Sequence, residues 1–236
     1  MSAADLLEVS GLSVDRGRFS LRVPSWTVGP GEVVGVVGPN GAGKTTLLET
    51  IAGLRPPGGG ELRVFGRDPW REPERVRSEL GFMTDDMPVF DLRIGRLLWL
   101  LSGYYPTWDA ALAGRLLERF RLDPDEKARD LSKGQATRLR LVTAMAFRPR
   151  LLVLDEPATG LDVGGRRSLL ASVLEVVRDE GRSVVVSSHM LDDVERVADR
   201  LLVLEGGRVV KQGRTDELVG EGRTLEEALV AWGAAG

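Results

Sequence analysis

The chain has no cysteine. That excludes disulfides, thiolate metal ligands and a cysteine nucleophile. It has a single histidine and two tyrosines, and only four of its 32 basic residues are lysine. A bias in genome composition accounts for the arginine excess, so no function is read from it. No run approaches the roughly 18 apolar residues needed to span a bilayer; "RLLWLLSGYY" (96–105) is too short. The start, "MSAADLLEVSGL", has neither the basic opening nor the apolar stretch of a signal peptide. A cytoplasmic protein without direct membrane insertion is the expectation. A net charge of −3 gives no global sign of a nucleic-acid partner. What is present is 236 residues, 42% of them hydrophobic, enough for a sizeable core.

Three short runs are almost wholly apolar: "VVGVV" (33–37), "LLVL" (151–154) and "SVVVS" (183–187). Such runs suit strands buried on both faces of a parallel sheet. Helical patterns follow each, at 45–52, 165–178 and 190–198. This alternation predicts an α/β core with ligand chemistry at the carboxyl ends of the strands. "LLEVSGLSV" and "FSLRVPSWTV" are alternating segments with Gly and Pro breaks, so residues 1–32 read as a small antiparallel sheet. Between about 87 and 130 the pattern turns helical. "IGRLLWLL" (94–101) is one candidate helix. "WDAALAGRLLERF" (108–120) is another, with Thr107 as its cap. "RPPGGGE" (55–61) reads as a turn.

"VVGVVGPNGAGKTTLLETIAG" is a strand, a Gly-rich loop and a helix start. Gly38, Gly43, Lys44 and Thr45 fill the pattern G-x-x-x-x-G-K-[ST]. Its glycines let successive N–H groups cup phosphate oxygens. The candidate nucleotide loop is Gly38, Pro39, Asn40, Gly41, Ala42, Gly43, Lys44, Thr45 and Thr46. Lys44 should reach the β- and γ-phosphates and the Thr45 hydroxyl should sit on Mg²⁺. "LLVLDEP" then sets two acids after an apolar strand. Asp155 could hold Mg²⁺, and Glu156 could polarise an attacking water. An ordinary helix N-cap is the alternative for that pair.

A second serine-and-glycine turn, "LSKGQ" (131–135), opens another helix. Ser132 suits an N-cap, so the turn reads either as a plain capped helix or as a second phosphate reader at Ser132 and Gly134. A helical insertion separates the two loops, so one chain is not expected to close both onto one nucleotide.

The order "GPNGAGKTT", "LSKGQ", "LLVLDEP", "TGLD" (159–162) and "SSH" (187–189) resembles the ATP-binding subunits of ABC transporters, over about residues 5–213. The resemblance implies a P-loop NTPase core with a mainly parallel sheet, an N-terminal antiparallel β subdomain and an inserted α-helical subdomain. Within a single ABC-type ATP-binding domain, 1–236, the β subdomain and core would span about 1–86 and 136–213. The helical insertion would span about 87–135 and a short tail 214–236. It also implies head-to-tail pairing of two subunits, alike or different, so that Ser132 and Gly134 meet ATP held by the partner's loop. His189 would contact the γ-phosphate, and Asp162 would bridge the subunits. Glu156, His189 and Lys44 are thus the expected catalytic set, with ATP and Mg²⁺ as cofactors. The expected role is an ATPase that drives separate transmembrane permease subunits, as a peripheral protein on the inner face of the cell membrane. "GYYPTWD" (103–109) with "LSKG" resembles a bacterial branch encoded beside GntR-type regulators, whose members pair with ABC-2-type membrane subunits, in the direction of export. A soluble ABC ATPase without transport, or a poorly hydrolysing switch subunit of a heterodimer, is the alternative.

Three positions depart from the family pattern. Asp85 stands where a glutamine senses Mg²⁺; it reads either as a metal approach through water or as a solvated acid. Arg16 stands where an aromatic stacks on adenine; it reads either as a stacking guanidinium or as a surface arginine, with Phe19 a nearby substitute. Lys133 occupies a signature glycine position. Tyr104, Tyr105 and Trp108 read as packing of the insertion, or as part of a groove for a membrane subunit. For the tail, a helix from Thr224 is one reading, with fraying as the default.

Overall fold

The computed structural model describes residues 5–88, 90–179, 181–220 and 223–232. Its elements run β1 (Leu7–Arg16), β2 (Phe19–Val28), β3 (Val33–Val37), α1 (Lys44–Ile51), β4 (Gly59–Val64), α2 (Pro73–Arg77) and β5 (Leu80–Thr84). There follow α3 (Ile94–Ser102), α4 (Ala110–Phe120), α5 (Lys133–Met145), β6 (Leu151–Asp155), α6 (Val163–Asp179), β7 (Ser183–Ser188) and α7 (Leu191–Glu195). The last are β8 (Arg200–Glu205), β9 (Arg208–Arg214), α8 (Thr215–Val219) and α9 (Leu225–Ala231).

Among the described residues nine strands join one mixed sheet in the order β4-β1-β2-β9-β8-β3-β7-β6-β5. Its centre is parallel, with β3 between β7 and β8, and β6 between β5 and β7. The N-terminal strands β1, β2 and β4 pair antiparallel, as their alternation predicts. They continue the main sheet instead of standing as a separate one: β2 meets β9 in parallel at Arg22 and Arg208.

Period-two alternation sorts the apolar runs between two faces. Leu152 and Leu154 of β6 and Val184 and Val186 of β7 point into a core built with α3, α4, α5 and α6. Leu151, Val153 and Val185 point the other way, toward α1 and the N-terminal strands. This burial on both faces is why the runs are continuously apolar. It also sets the carboxyl ends of β3, β6 and β7 side by side, with Asp155 opposite Ser187 in register.

The cap of α4 is Asp109, not Thr107. Asp109 accepts from the Leu112 N–H at 2.8 Å. The Thr107 hydroxyl instead donates to the Phe147 carbonyl at 2.6 Å. The cap bond to Leu112, then the Arg148 guanidinium, hold the Asp109 carboxyl below its ordinary value of 3.8. A carboxylate with a depressed native pKa stabilises the fold above that ordinary value, and the contribution is lost as pH falls through the native one. Asp109→Ala is therefore expected to lower Tm by about 2–4 °C at neutral pH. In thermal melts that difference should shrink below about pH 3.8.

The tail is not frayed within the described residues. Thr224 caps α9 in a reciprocal capping box with Glu227. Leu225 and Leu229 pack with Val194 of α7, and the Leu225 N–H donates to Glu195 at 2.8 Å. Their spacing places them on one helical face.

Candidate functional site

The Gly-rich loop leaves β3 and turns into α1. Gly38, Gly41 and Gly43 all have positive φ, at 149°, 80° and 107°. At Gly38 and Gly43 the constraint is also steric. A Cβ at Gly38 would lie 2.0 Å from the Leu204 carbonyl oxygen, and one at Gly43 would lie 2.9 Å from the Phe19 ring. Phe19 thus packs against the loop and is half-buried there. Arg16, at the exposed end of β1, remains open to solvent.

No side chain caps α1. Its first turn therefore offers N–H groups and the positive end of the helix dipole, a setting suited to phosphate. Thr45 is exposed there while Thr46 is buried. The Lys44 ammonium is nearly buried and donates to the Gly38 and Pro39 carbonyls at 2.7 and 3.3 Å. A lysine folded back onto its own loop carbonyls is a cation in place for an anion within that loop.

The acids from β6 reach the same place. Lys44 Nζ lies 3.7 Å from Glu156 Oε1. Glu156 Oε2 lies 2.7 Å from His189 Nδ1. An ionised carboxylate only accepts, so Nδ1 carries the hydrogen and Nε2 faces away from the bond. Asp155 is 4% exposed. Its Oδ1 accepts from the Ser187 hydroxyl at 2.6 Å, and Ser187 Oγ in turn accepts from the Glu156 N–H at 3.0 Å. Glu156 sits at φ 50° directly before Pro157, in the left-handed region. That conformation is costly for a non-glycine residue before proline, and the Ser187 bond is one of the contacts that hold it. Ser187 opens the "SSH" motif, yet its own role was not anticipated: a serine closing an apolar run reads simply as strand.

Ser132 caps α5, accepting from the Gln135 N–H at 3.3 Å, while Gln135 Oε1 accepts from the Ser132 N–H at 3.0 Å. Gly134 faces the next motif; a Cβ there would lie 2.8 Å from Leu161 Cδ2. Asp162 Oδ1 accepts from the Gly165 N–H at 2.6 Å as α6 begins. Among the described residues no hydrogen bond or ion pair joins 132–135 to the 38–46 loop. The two candidate phosphate-reading turns are therefore not brought together by these contacts. Asp85 follows β5, and its carboxylate faces Lys133 Nζ at 3.1 Å and Arg140 Nη1 at 3.8 Å.

An unforeseen ion pair ties α6 to α7. Arg166, on α6, donates to Asp193 on α7 at 3.2 Å. Asp193 is only 6% exposed. Removing the guanidinium leaves a buried carboxylate alone, so Arg166→Ala is expected to cost about 2–3 kcal/mol, read as a drop in denaturation midpoint.

A family model described as "ABC transporter" matches residues 21–159, more than half of the chain. The chain belongs to the ABC transporter family. It is an ATP-binding subunit of that family, an ATPase. Nod factor export ATP-binding protein I of Rhizobium etli is 36% identical over 94% of this chain and 71% of its own length. The daunorubicin/doxorubicin resistance ATP-binding protein DrrA of Streptomyces peucetius is 35% identical over 90% of this chain and 66% of its own. Among curated relatives the chain thus spans about two thirds of the length. A solved "ATP binding subunit of ABC transporter" superposes with a TM-score of 0.87 at 30% identity, covering 97% of this chain and 99% of that one. Among the described residues of this ABC ATPase, no helix is long and apolar enough to cross a membrane.

Proposed function

We propose that this ABC ATPase powers export by a separate permease, closing head to tail with a second ATP-binding subunit around ATP–Mg²⁺. The observation that carries the reading is the convergence of Lys44, Glu156 and His189 at the mouth of an uncapped Gly-rich loop. Export is favoured by the relatives, whose names give Nod factor export and drug resistance.

In this reading the loop amides of 38–46 and Lys44 bind the phosphates. Thr45 and Asp155 would hold Mg²⁺. One hydroxyl and one carboxylate suit a cation that keeps phosphates and waters among its ligands. Bound Mg²⁺ would supply charge neutralisation on the phosphate oxygens. Asp85 is left out of the metal set because its oxygens face Lys133 and Arg140. Glu156 takes the proton from the attacking water, and His189 fixes the carboxylate by its Nδ1–H. Arg16 is the base-facing side chain, and Ser132, Gly134 and Asp162 act across the subunit interface. We read the chain as one domain, with an insertion at about 87–135, core segments at about 1–86 and 136–213 and a tail at 214–236.

The permease would seat on an apolar cavity of about 320 Å³ between the core and α3 and α5. Leu54, Phe82, Phe90 and Tyr105 line it. Tyr105 stacks on Phe147 at 4.0 Å, and burial raises its phenol pKa. Trp108 packs into the helical core instead, and Tyr104 is exposed. Seating there would place the ATPase on the inner membrane face.

Light scattering of the Glu156→Gln protein with and without ATP–Mg²⁺ tests the pairing. A doubling of mass on adding ATP, abolished by Ser132→Arg, supports it. A protein that binds ATP and never associates removes the homodimer, and one that binds no ATP removes the enzyme reading.

A further inference from the structure

Two departures from the family pattern touch each other. Lys133 replaces a signature glycine, and Asp85 replaces the metal-sensing glutamine. Lys133 Nζ lies 3.1 Å from Asp85 Oδ2. The lysine stem runs over Gly160, where a Cβ would come within 3.0 Å of Lys133 Cδ and Cε. One side chain therefore spans the signature turn, the loop after β5 and the "TGLD" turn.

Lys133 is the first residue of α5, and that helix has no acid in its first turn. A cation at this end opposes the helix dipole. Its placement there is favourable only when an anion is close, and Asp85 supplies one. The pair is open to exchange, because the side chains are 55% and 28% exposed. Asp85 also has a second cation. Arg140 Nη1 lies 3.8 Å from its other oxygen, and Arg140 is anchored by donating to the Met87 carbonyl at 3.0 Å. When Lys133 leaves, the carboxylate keeps a partner.

We propose that Lys133 is a phosphate-binding residue held in reserve by Asp85. It exchanges that carboxylate for the triphosphate of a nucleotide held by a second ATP-binding subunit. The proposal rests on the head-to-tail reading above. Asp85 then neutralises the extra cation at the signature turn for as long as no nucleotide faces it. A triphosphate carries more negative charge than one carboxylate and wins the exchange.

The test uses the full chain with Glu156→Gln as parent, and measures ATP–Mg²⁺-driven association by sedimentation over a range of salt. Lys133→Met, Asp85→Asn and the double variant are compared. Association should tighten several-fold in Asp85→Asn, because the competitor is gone. It should weaken about tenfold in Lys133→Met, with a shallower salt dependence. The double variant should behave as Lys133→Met alone. Weakening in Asp85→Asn would mean a fixed strut and overturn the exchange, as would a Lys133→Met protein with unchanged affinity and salt slope. Loss of Mg²⁺-dependent nucleotide affinity in monomeric Asp85→Asn would put that carboxylate on the metal and overturn it as well. Lys133→Gln gives a second neutral variant should the methionine protein misfold. A parent that binds ATP and stays monomeric brings down the pairing of two copies of this chain, on which the exchange rests; that result is seen before residues 85 and 133 are changed, so the two failures are distinct.

Discussion

Glu156→Gln is expected to slow ATP hydrolysis on the order of 10²–10⁴-fold while nucleotide binding is kept. The carboxylate is a base placed beside both Lys44 and His189, where an attacking water would meet the phosphate. Glutamine keeps the length and one carbonyl oxygen, which can still accept from His189 Nδ1. It removes the base and a negative charge beside the phosphate site. Binding of ATP should therefore hold or tighten as hydrolysis collapses. Phosphate release and a nucleotide titration, run on the same preparation, separate the two. Turnover within about threefold of the parent would move the base to another residue.

Ser187→Ala is the second large effect, and it acts at one remove. Ser187 Oγ is fully buried, donates to Asp155 and accepts from the Glu156 N–H. Alanine fits the space but strands both groups, at a cost of about 1–3 kcal/mol in stability. It also releases one of the bonds holding Glu156 at φ 50°. A shift of about 1 Å in a catalytic group can cost on the order of 10²-fold in rate. Hydrolysis should fall by about that much, with little loss of ATP affinity, because the loop amides and Lys44 are untouched. Ser187→Thr, which restores the hydroxyl, should recover part of the rate. A rate that falls only in proportion to the unfolded fraction would make Ser187 a purely structural contact.

The parts legible from sequence are those where one physical constraint dominates. The strands 33–37, 151–155 and 183–188 are buried on both faces, so their apolar runs stand out. The Gly-rich loop is legible because positive φ at Gly38, Gly41 and Gly43 leaves few substitutes. What escaped depends on contacts made across the fold. Thr107 and Asp109 are both good caps two residues apart, and the choice falls to Arg148 and the Phe147 carbonyl. Phe19 looks free in sequence but lies under Gly43. β8 repeats the "LLVL" run of β6 at 201–204 and is as deeply buried, and its Gly206–Gly207 turn into β9, with both φ positive, is a hairpin signal that could have been used. Arg166 and Asp193 are remote in sequence, and their pairing has no local signature.

The position of β3 bears on how the protein is made. Its neighbours in the sheet, β7 and β8, both come from the last quarter of the chain. During synthesis "VVGVV" emerges early and must wait unpaired on both edges until β7 has left the ribosome, and on one edge until β8 has. At ordinary elongation speeds that interval is on the order of 10 s. An apolar, β-branched, proline-free segment left open for that long is a target for misassociation. The nascent protein therefore gains a nucleotide pocket only after β7 and β8 have been made. A bound nucleotide can report completion of the fold but cannot nucleate it.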